Sequence, residues 1–211
     1  MSPKQSPASA PETKGIRIRW PRIYDALNRI HFLGREELYR ERTVDLAVIQ
    51  PGECVLDVGC GTGNLTLAAK QRVGKEGAVY GIDAAPEMIA EAQRKGAASG
   101  VEVDFRVGLI ENLEFPDGQF DVVLSSLMLH HLPKELKVRG VAEIARVLKP
   151  KGRFLAVDVD PWLMKNLETV DVAMRAEGFT EIERGRTGFR TMWIPIHFLG
   201  GRQRQSRSVS P

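Results

Sequence analysis

From residue 51 onwards, short apolar runs alternate with longer amphipathic stretches. Val55, Leu56 and Val58 make a β-rich run between the Pro51-Gly52 turn and Gly59, which predicts a buried strand. Leu65-Thr-Leu-Ala-Ala-Lys then predicts a helix, and Val79-Tyr-Gly-Ile-Asp83 a second strand. Pro86 suits the first turn of a helix whose Met88, Ile89 and Ala92 share a face, with Gly96 and Gly100 bringing it to an end. Further strands are predicted at 101–107, 120–125 and 154–159, with helices opening at Pro133 and Leu163. Strand-like material follows at 179–183 and 189–198 with no helix-length segment between, so an antiparallel hairpin at one sheet edge is expected. Ahead of this alternation, Ile23, Leu27, Ile30 and His31 recur at helical spacing as far as Gly34. A second helix is expected from Arg35 to about Ile49.

Strands alternating with helices imply an α/β protein, here a seven-stranded, mostly parallel sheet covered on both faces. The expected division is a disordered tail at 1–15, a helical lid at 16–50, the αβ domain at 51–199 and a basic disordered tail at 200–211.

Charge changes this picture once it is mapped. The net charge is +3, but residues 1–22 hold five basic residues against Glu12, and residues 200–211 hold three with no acid. The remaining stretch is therefore net acidic, which argues against a broad nucleic-acid surface on the fold. No apolar run reaches the length of a membrane span, and the first residues show no apolar secretory core. Cys54 and Cys60 suit buried, reduced thiols of a cytoplasmic protein rather than a disulfide framework or a metal site.

The chemistry gathers behind the first strand. Gly59, Gly61 and Gly63 let the backbone take positive φ and approach a ligand, and the next helix would point its N-terminus there. Asp83, about twenty residues on, suits a ribose with free hydroxyls. A dinucleotide fingerprint would place its third glycine at Asn64, and no P-loop sequence is present. A nucleoside-containing cofactor other than a dinucleotide is the expectation.

Leu56-Asp-Val-Gly-Cys-Gly-Thr-Gly63, Gly81-Ile-Asp83, Phe115-Pro-Asp-Gly-Gln-Phe-Asp-Val-Val123, Leu129-His-His-Leu132 and Arg146-Val-Leu-Lys-Pro-Lys-Gly152 together resemble class I S-adenosylmethionine-dependent methyltransferases. Within that class the chain looks most like the small-molecule branch containing ubiquinone and menaquinone C-methyltransferases. The resemblance implies a Rossmann-like fold with S-adenosylmethionine as cofactor. It implies that Asp57, Gly59 and Gly61 hold the methionyl part, with Asn64 and Ser126 in the cofactor set. Asp83 would hold the ribose, and Ala84, Met88, Leu109 and Ile110 would surround the adenine. The family often carries an acid after the third strand, and Gly108 stands there instead.

For catalysis, His130 and His131 lie just past the fourth strand, where sites of open α/β sheets gather. His130 suits a packed or capping role. His131 resembles the catalytic histidine of some phosphobase methyltransferases, which pair it with an N-terminal tyrosine, here Tyr24. Trp20, Tyr24, His31 and Phe32 are candidates for an acceptor pocket, and Arg17, Arg19, Arg22 and Arg29 would suit a membrane surface or an anionic substrate. The expected activity is methylation of a small hydrophobic or aromatic acceptor by direct displacement, by a monomer or homodimer. The alternative is a binding protein that keeps the fold without the chemistry.

Overall fold

The computed structural model describes residues 12–159, 166–191 and 194–204. Two helices come first, α1 (Pro21–His31) and α2 (Glu36–Leu46). Then β1 (Cys54–Val58), α3 (Asn64–Val73), β2 (Ala78–Asp83), α4 (Pro86–Ser99) and β3 (Asp104–Val107) alternate. They are followed by β4 (Phe120–Ser126), a 3₁₀ turn at Leu129–His131, α5 (Lys134–Val147), β5 (Leu148–Val159), α6 (Asn166–Ala176), β6 (Thr180–Thr191) and β7 (Ile194–Arg202).

All seven strands form one sheet in the order β3-β2-β1-β4-β5-β7-β6. The first five are parallel; β7 runs antiparallel between β5 and β6, giving the expected hairpin at the edge. Period-two alternation sends neighbouring residues of each strand to opposite layers. Val55, Val122, Leu124 and Val157 pack with Val44, Leu65 and Ala69 of α2 and α3. Leu56, Val58, Val123, Phe154 and Ala156 pack with Val141, Ile144, Val170 and Met174 of α5 and α6. A sheet buried on both faces is why these strands read as nearly continuous apolar runs.

Several boundaries differ from the sequence reading: β5, expected from 154, already begins at Leu148. Gly96 lies inside α4, where Phe105 crosses so closely that a Cβ would stand 3.3 Å from its ring; the helix ends at Gly100, whose φ is +69°. The third strand begins only at Asp104. The stretch between the two expected final strands belongs to β6, because Glu183–Arg186 pair with β7. At the other end β7 reaches Arg202, paired with Arg153, so the sheet continues three residues into the stretch read as tail. Residues 12–15, read as tail, make defined contacts described below. Residues 1–11 and 205–211, and the expected helix start at Leu163, lie outside the described residues.

The sheet order reverses between β1, which leads through β2 to one edge, and β4, which leads through β5 to the other. In open α/β sheets the crevice beyond the strand C-termini at that reversal is the usual ligand site. Here it is lined by the loop after β1, the end of β2, the turn after β4 and, from above, α1.

Candidate active site

Gly59 and Gly61 leave β1 with φ of +76° and +54°. The N–H groups of Gly59 and Cys60 both donate to the Ile82 carbonyl, at 2.8 and 2.9 Å, which clamps the loop to β2. A Cβ on Gly59 would collide with the Met128 side chain, and one on Gly61 would touch the Tyr24 ring at 3.5 Å. Gly63 takes the expected positive φ, +80°, but lines neither cavity. A Cβ there would stand 2.8 Å from Phe105 and 2.9 Å from Ala92, so its smallness lets α3 settle on the core rather than bringing backbone to a ligand.

Asp83 sits at the end of β2 with both oxygens engaged. Its Oδ2 accepts from Gly61 N and its Oδ1 from Ala85 N, each at 2.9 Å. Burial raises its pKa, and the two N–H donors pull it back. It faces a cavity that also contains Ala84, Met88, Leu109 and Ile110 in its wall and ends on Met128, His131 and Leu132. Gly108 is in the same wall, and no acid stands there; Glu111, three residues on, brings a carboxylate to the cavity instead.

Asp57, Asn64 and Ser126 line a second cavity. Tyr24, Gly59 and Leu127 line both cavities and so form the partition between them. Asp57 is fully buried: Thr66 Oγ1 donates to its Oδ2 at 2.7 Å, while its Oδ1 has no hydrogen-bond partner among the described residues. Burial pushes its pKa up to about 7, the Thr66 bond opposes that, and the Asp83 charge adds to it. A buried carboxylate oxygen lacking a donor is costly alone and fits a cationic group. Ser126 Oγ lies 2.7 Å from the Tyr39 hydroxyl. Tyr39 in turn stacks on Phe32, with ring centroids 4.5 Å apart.

Of the two histidines, only His131 lines the first cavity. Burial above all, and then the neighbouring His130, lowers its pKa to about 4. His130 is directed away to Asp158, the buried last-but-one residue of β5. Its ring lies 3.9 Å from that of His131, centroid to centroid.

The chain before α1 runs along the first cavity. Ile16 N donates to His131 O at 3.2 Å, and Thr13 Oγ1 donates to Glu111 Oε1 at 2.8 Å. Tyr24 stands in both cavity walls and Phe32 in that of the second; Trp20 and His31, expected beside them, line neither, and Trp20 is exposed to solvent. Trp20 precedes the first helical turn, where its ring faces outwards, and His31 is one residue from the buried Phe32 on a different side of α1.

The sequence reading missed one cluster altogether. Asp25 Oδ1 accepts from Thr62 Oγ1 at 2.7 Å and from Asn64 Nδ2 at 3.2 Å. Lys95 Nζ donates to Asp25 Oδ2 at 2.7 Å and to Thr62 Oγ1 and Asn64 Oδ1 at 2.9 Å. The lid helix is thus tied to the glycine loop through α4. Asn64 was expected only as a cofactor residue, and nothing local marks Asp25, Thr62 or Lys95 as its partners.

Residues 55–152 match the family described as a methyltransferase domain. The chain is 40% identical over 139 residues to the demethylmenaquinone methyltransferase of Thermus thermophilus, covering 65% of this chain and 61% of that one. It is 34% identical over 149 residues to the ubiquinone/menaquinone biosynthesis C-methyltransferase of Hydrogenovibrio crunogenus, covering 70% of this chain and 58% of that protein. It therefore spans about three fifths of the length of these curated relatives. The fold superposes on a SAM-dependent methyltransferase from Aquifex aeolicus with a TM-score of 0.70 at 21% identity, over 85% of this chain and 97% of that one. Residues 55–152 thus carry a methyltransferase domain, and the chain resembles the S-adenosylmethionine-dependent methyltransferases of menaquinone and ubiquinone biosynthesis.

Proposed function

We propose that the protein methylates a small hydrophobic or aromatic acceptor by direct displacement, with the methyl donor held across the two cavities. The observation that carries this reading is the pair of adjoining cavities that share the Tyr24–Gly59 wall, one bordered by Asp83 and the other by Asp57, whose Oδ1 has no partner among the described residues. Asp83 would accept from the ribose hydroxyls with the lone pairs that Gly61 and Ala85 leave free. Ala84, Met88, Leu109 and Ile110 would enclose the adenine, and Glu111 would accept from its amino group. Asp57 would hold the methionyl ammonium beside Gly59, with Asn64 and Ser126 in the same cavity wall. S-adenosylmethionine, when bound, supplies a methyl group activated on a sulfonium.

Direct displacement asks the protein chiefly for alignment and a dry site, and alignment alone is worth about 7 kcal/mol or more. Residues 13–18 and Tyr24 supply the cover. His131 is neutral at pH 7 and takes a proton at its ring nitrogen only from an acceptor that gives one up readily. That favours an activated phenol or hydroquinone over an alcohol. The similarity to quinone methyltransferases supports the same acceptor class.

The test is methyl transfer to a panel of hydroquinones, phenols and amines, alongside calorimetry with S-adenosylmethionine and S-adenosylhomocysteine. Transfer to a hydroquinone or phenol is expected. Cofactor binding with no transfer to any of them would give the chain to the non-catalytic reading.

A further inference from the structure

The outer side of the lid is apolar where a water-facing helix should be polar. Ile16, Trp20, Ile23, Leu27, Ile30 and Leu33 recur every three or four residues and are between 46% (Leu27) and 85% (Leu33) exposed. The opposite side of α1 is already committed: Tyr24, Asn28 and Phe32 face the cavities, and Asp25 is held by Lys95. Ile23, Leu27 and Ile30 share one side of α1, with Ile16 and Trp20 just before it and Leu33 just after, and six large exposed apolar side chains so close in the chain exceed the scatter of single surface hydrophobics that needs no explanation. None belongs to the three core clusters of the described residues.

Charge says what covers the row. Between Lys14 and Arg35 the chain carries Lys14, Arg17, Arg19, Arg22, Arg29 and Arg35 against Asp25 as the sole acid, whereas residues 23–199 as a whole are net acidic. Arg19 and Arg29 are largely exposed even though each faces a glutamate, Glu87 and Glu36 respectively. A second copy seated row to row would bring these basic segments against each other. Exposed apolar side chains flanked by arginines, with a tryptophan at the helix N-terminus, are the pattern of a helix that lies flat in an anionic lipid interface. We infer that α1 and the residues leading into it dock on an anionic bilayer, apolar row downwards.

The position of the row gives this docking a use. Ile16 belongs both to the row and to the wall of the first cavity, and Tyr24 joins the inner side of α1 to both cavities. Docking would set the mouth of the site at the membrane surface, where a lipid-phase acceptor reaches it without crossing water. That last consequence rests on the proposed methyl transfer; the docking itself does not.

The experiment is co-sedimentation of the full chain with vesicles of phosphatidylcholine alone and of phosphatidylcholine mixed with phosphatidylglycerol, with neither cofactor nor acceptor present. Binding to the mixed vesicles, weakened by added salt, is expected. It should fall about tenfold or more in Ile23→Ser/Leu27→Ser/Ile30→Ser, with the circular dichroism spectrum unchanged. Leu33→Ser, in the turn after α1, is a milder second variant and should weaken binding in the same direction. No binding to either vesicle, or binding indifferent to both variants, overturns the proposal. So does a dimer by light scattering that the triple substitution dissociates, since a second copy would then be the occupant. Methyl transfer to a water-soluble acceptor should be unaltered by the triple variant, so failure of docking and failure of the methyl-transfer reading are separately visible.

Discussion

His130 is held to Asp158 twice: its ring Nδ1 lies 2.6 Å from Oδ1, and its backbone N–H donates to Oδ2 at 2.9 Å. The N–H of Val159 donates to the same Oδ1 at 2.7 Å. One buried carboxylate therefore fixes the 3₁₀ turn against the end of β5 and sets the ring against which His131 rests. Asp158→Asn keeps the shape but turns an amide NH₂ towards these donors, leaving at least one unmatched at a cost of about 1–3 kcal/mol. The melting temperature should fall, and turnover should fall with it while cofactor affinity holds. An unchanged melting curve would remove the dyad from the fold's supports.

Asp83 serves two masters, the loop and the ligand. Asp83→Ala removes the acceptor for Gly61 N and Ala85 N as well as the proposed ribose contacts. Cofactor affinity by calorimetry should drop by about tenfold or more, given about 1–3 kcal/mol for each charge-assisted bond. Asp83→Asn retains an acceptor oxygen and should fall between the two. Equal affinities for wild type and Asp83→Ala would refute the ribose assignment.

The elevated pKa of Asp57 makes a signed prediction. Its folded value is about 7 against an ordinary 3.8, so between them the folded state holds a proton that the unfolded chain gives up. The stability it contributes is fully present below 3.8 and is lost as pH rises through about 7. In urea melts, Asp57→Asn should abolish that loss. Affinity for a ligand carrying an ammonium should instead rise between about pH 6 and about pH 8, as the carboxylate ionises to receive it. A pH-independent affinity would place the ammonium elsewhere.

These groups were unequally legible in the sequence. The strand at Cys54–Val58 and the carboxylate at Asp83 were readable because a buried parallel strand and its terminal turn leave a local signature. Gly96 misled because a glycine made necessary by the Phe105 ring looks, in sequence, like a helix stop. The 184–188 stretch misled because its inward positions are Gly185 and Thr187, so the alternation of burial there is not marked by apolar side chains. Asp25, Thr62 and Lys95 were invisible because their partners lie 33 to 70 residues apart and meet only through the tertiary fold.

His131 should behave as a neutral imidazole throughout the physiological range. Its folded pKa of about 4 lies below the ordinary 6.5, so the stability associated with it is present above 6.5 and lost as pH falls through about 4. His131→Ala should flatten that acid limb. If the imidazole takes the acceptor proton, the same change lowers kcat by about 10²–10⁴-fold and leaves cofactor affinity alone. Tyr24→Phe, which keeps the ring over Gly61, should preserve folding and cofactor binding. Normal turnover by His131→Ala with the true acceptor would remove it from catalysis.

The Asp25–Lys95 pair makes cover and cofactor loop one unit. Both side chains are less than one third exposed, and Lys95 Nζ also donates to Thr62 and Asn64, so the ammonium is the hub of the network. Lys95→Ala leaves a carboxylate facing only the neutral donors of Thr62 and Asn64, and loosens α1 from the loop it closes. Trypsin cleavage at Arg22 and Arg29 should accelerate, because proteolysis follows the population of the opened form. Cofactor affinity should weaken by up to about tenfold, since binding would then have to order the lid. Asp25→Ala should do the same, and the double variant should cost less than the sum of the two, because each single change already breaks the shared contact. Strict additivity would mean that the residues act separately and that the clasp does not couple lid to loop.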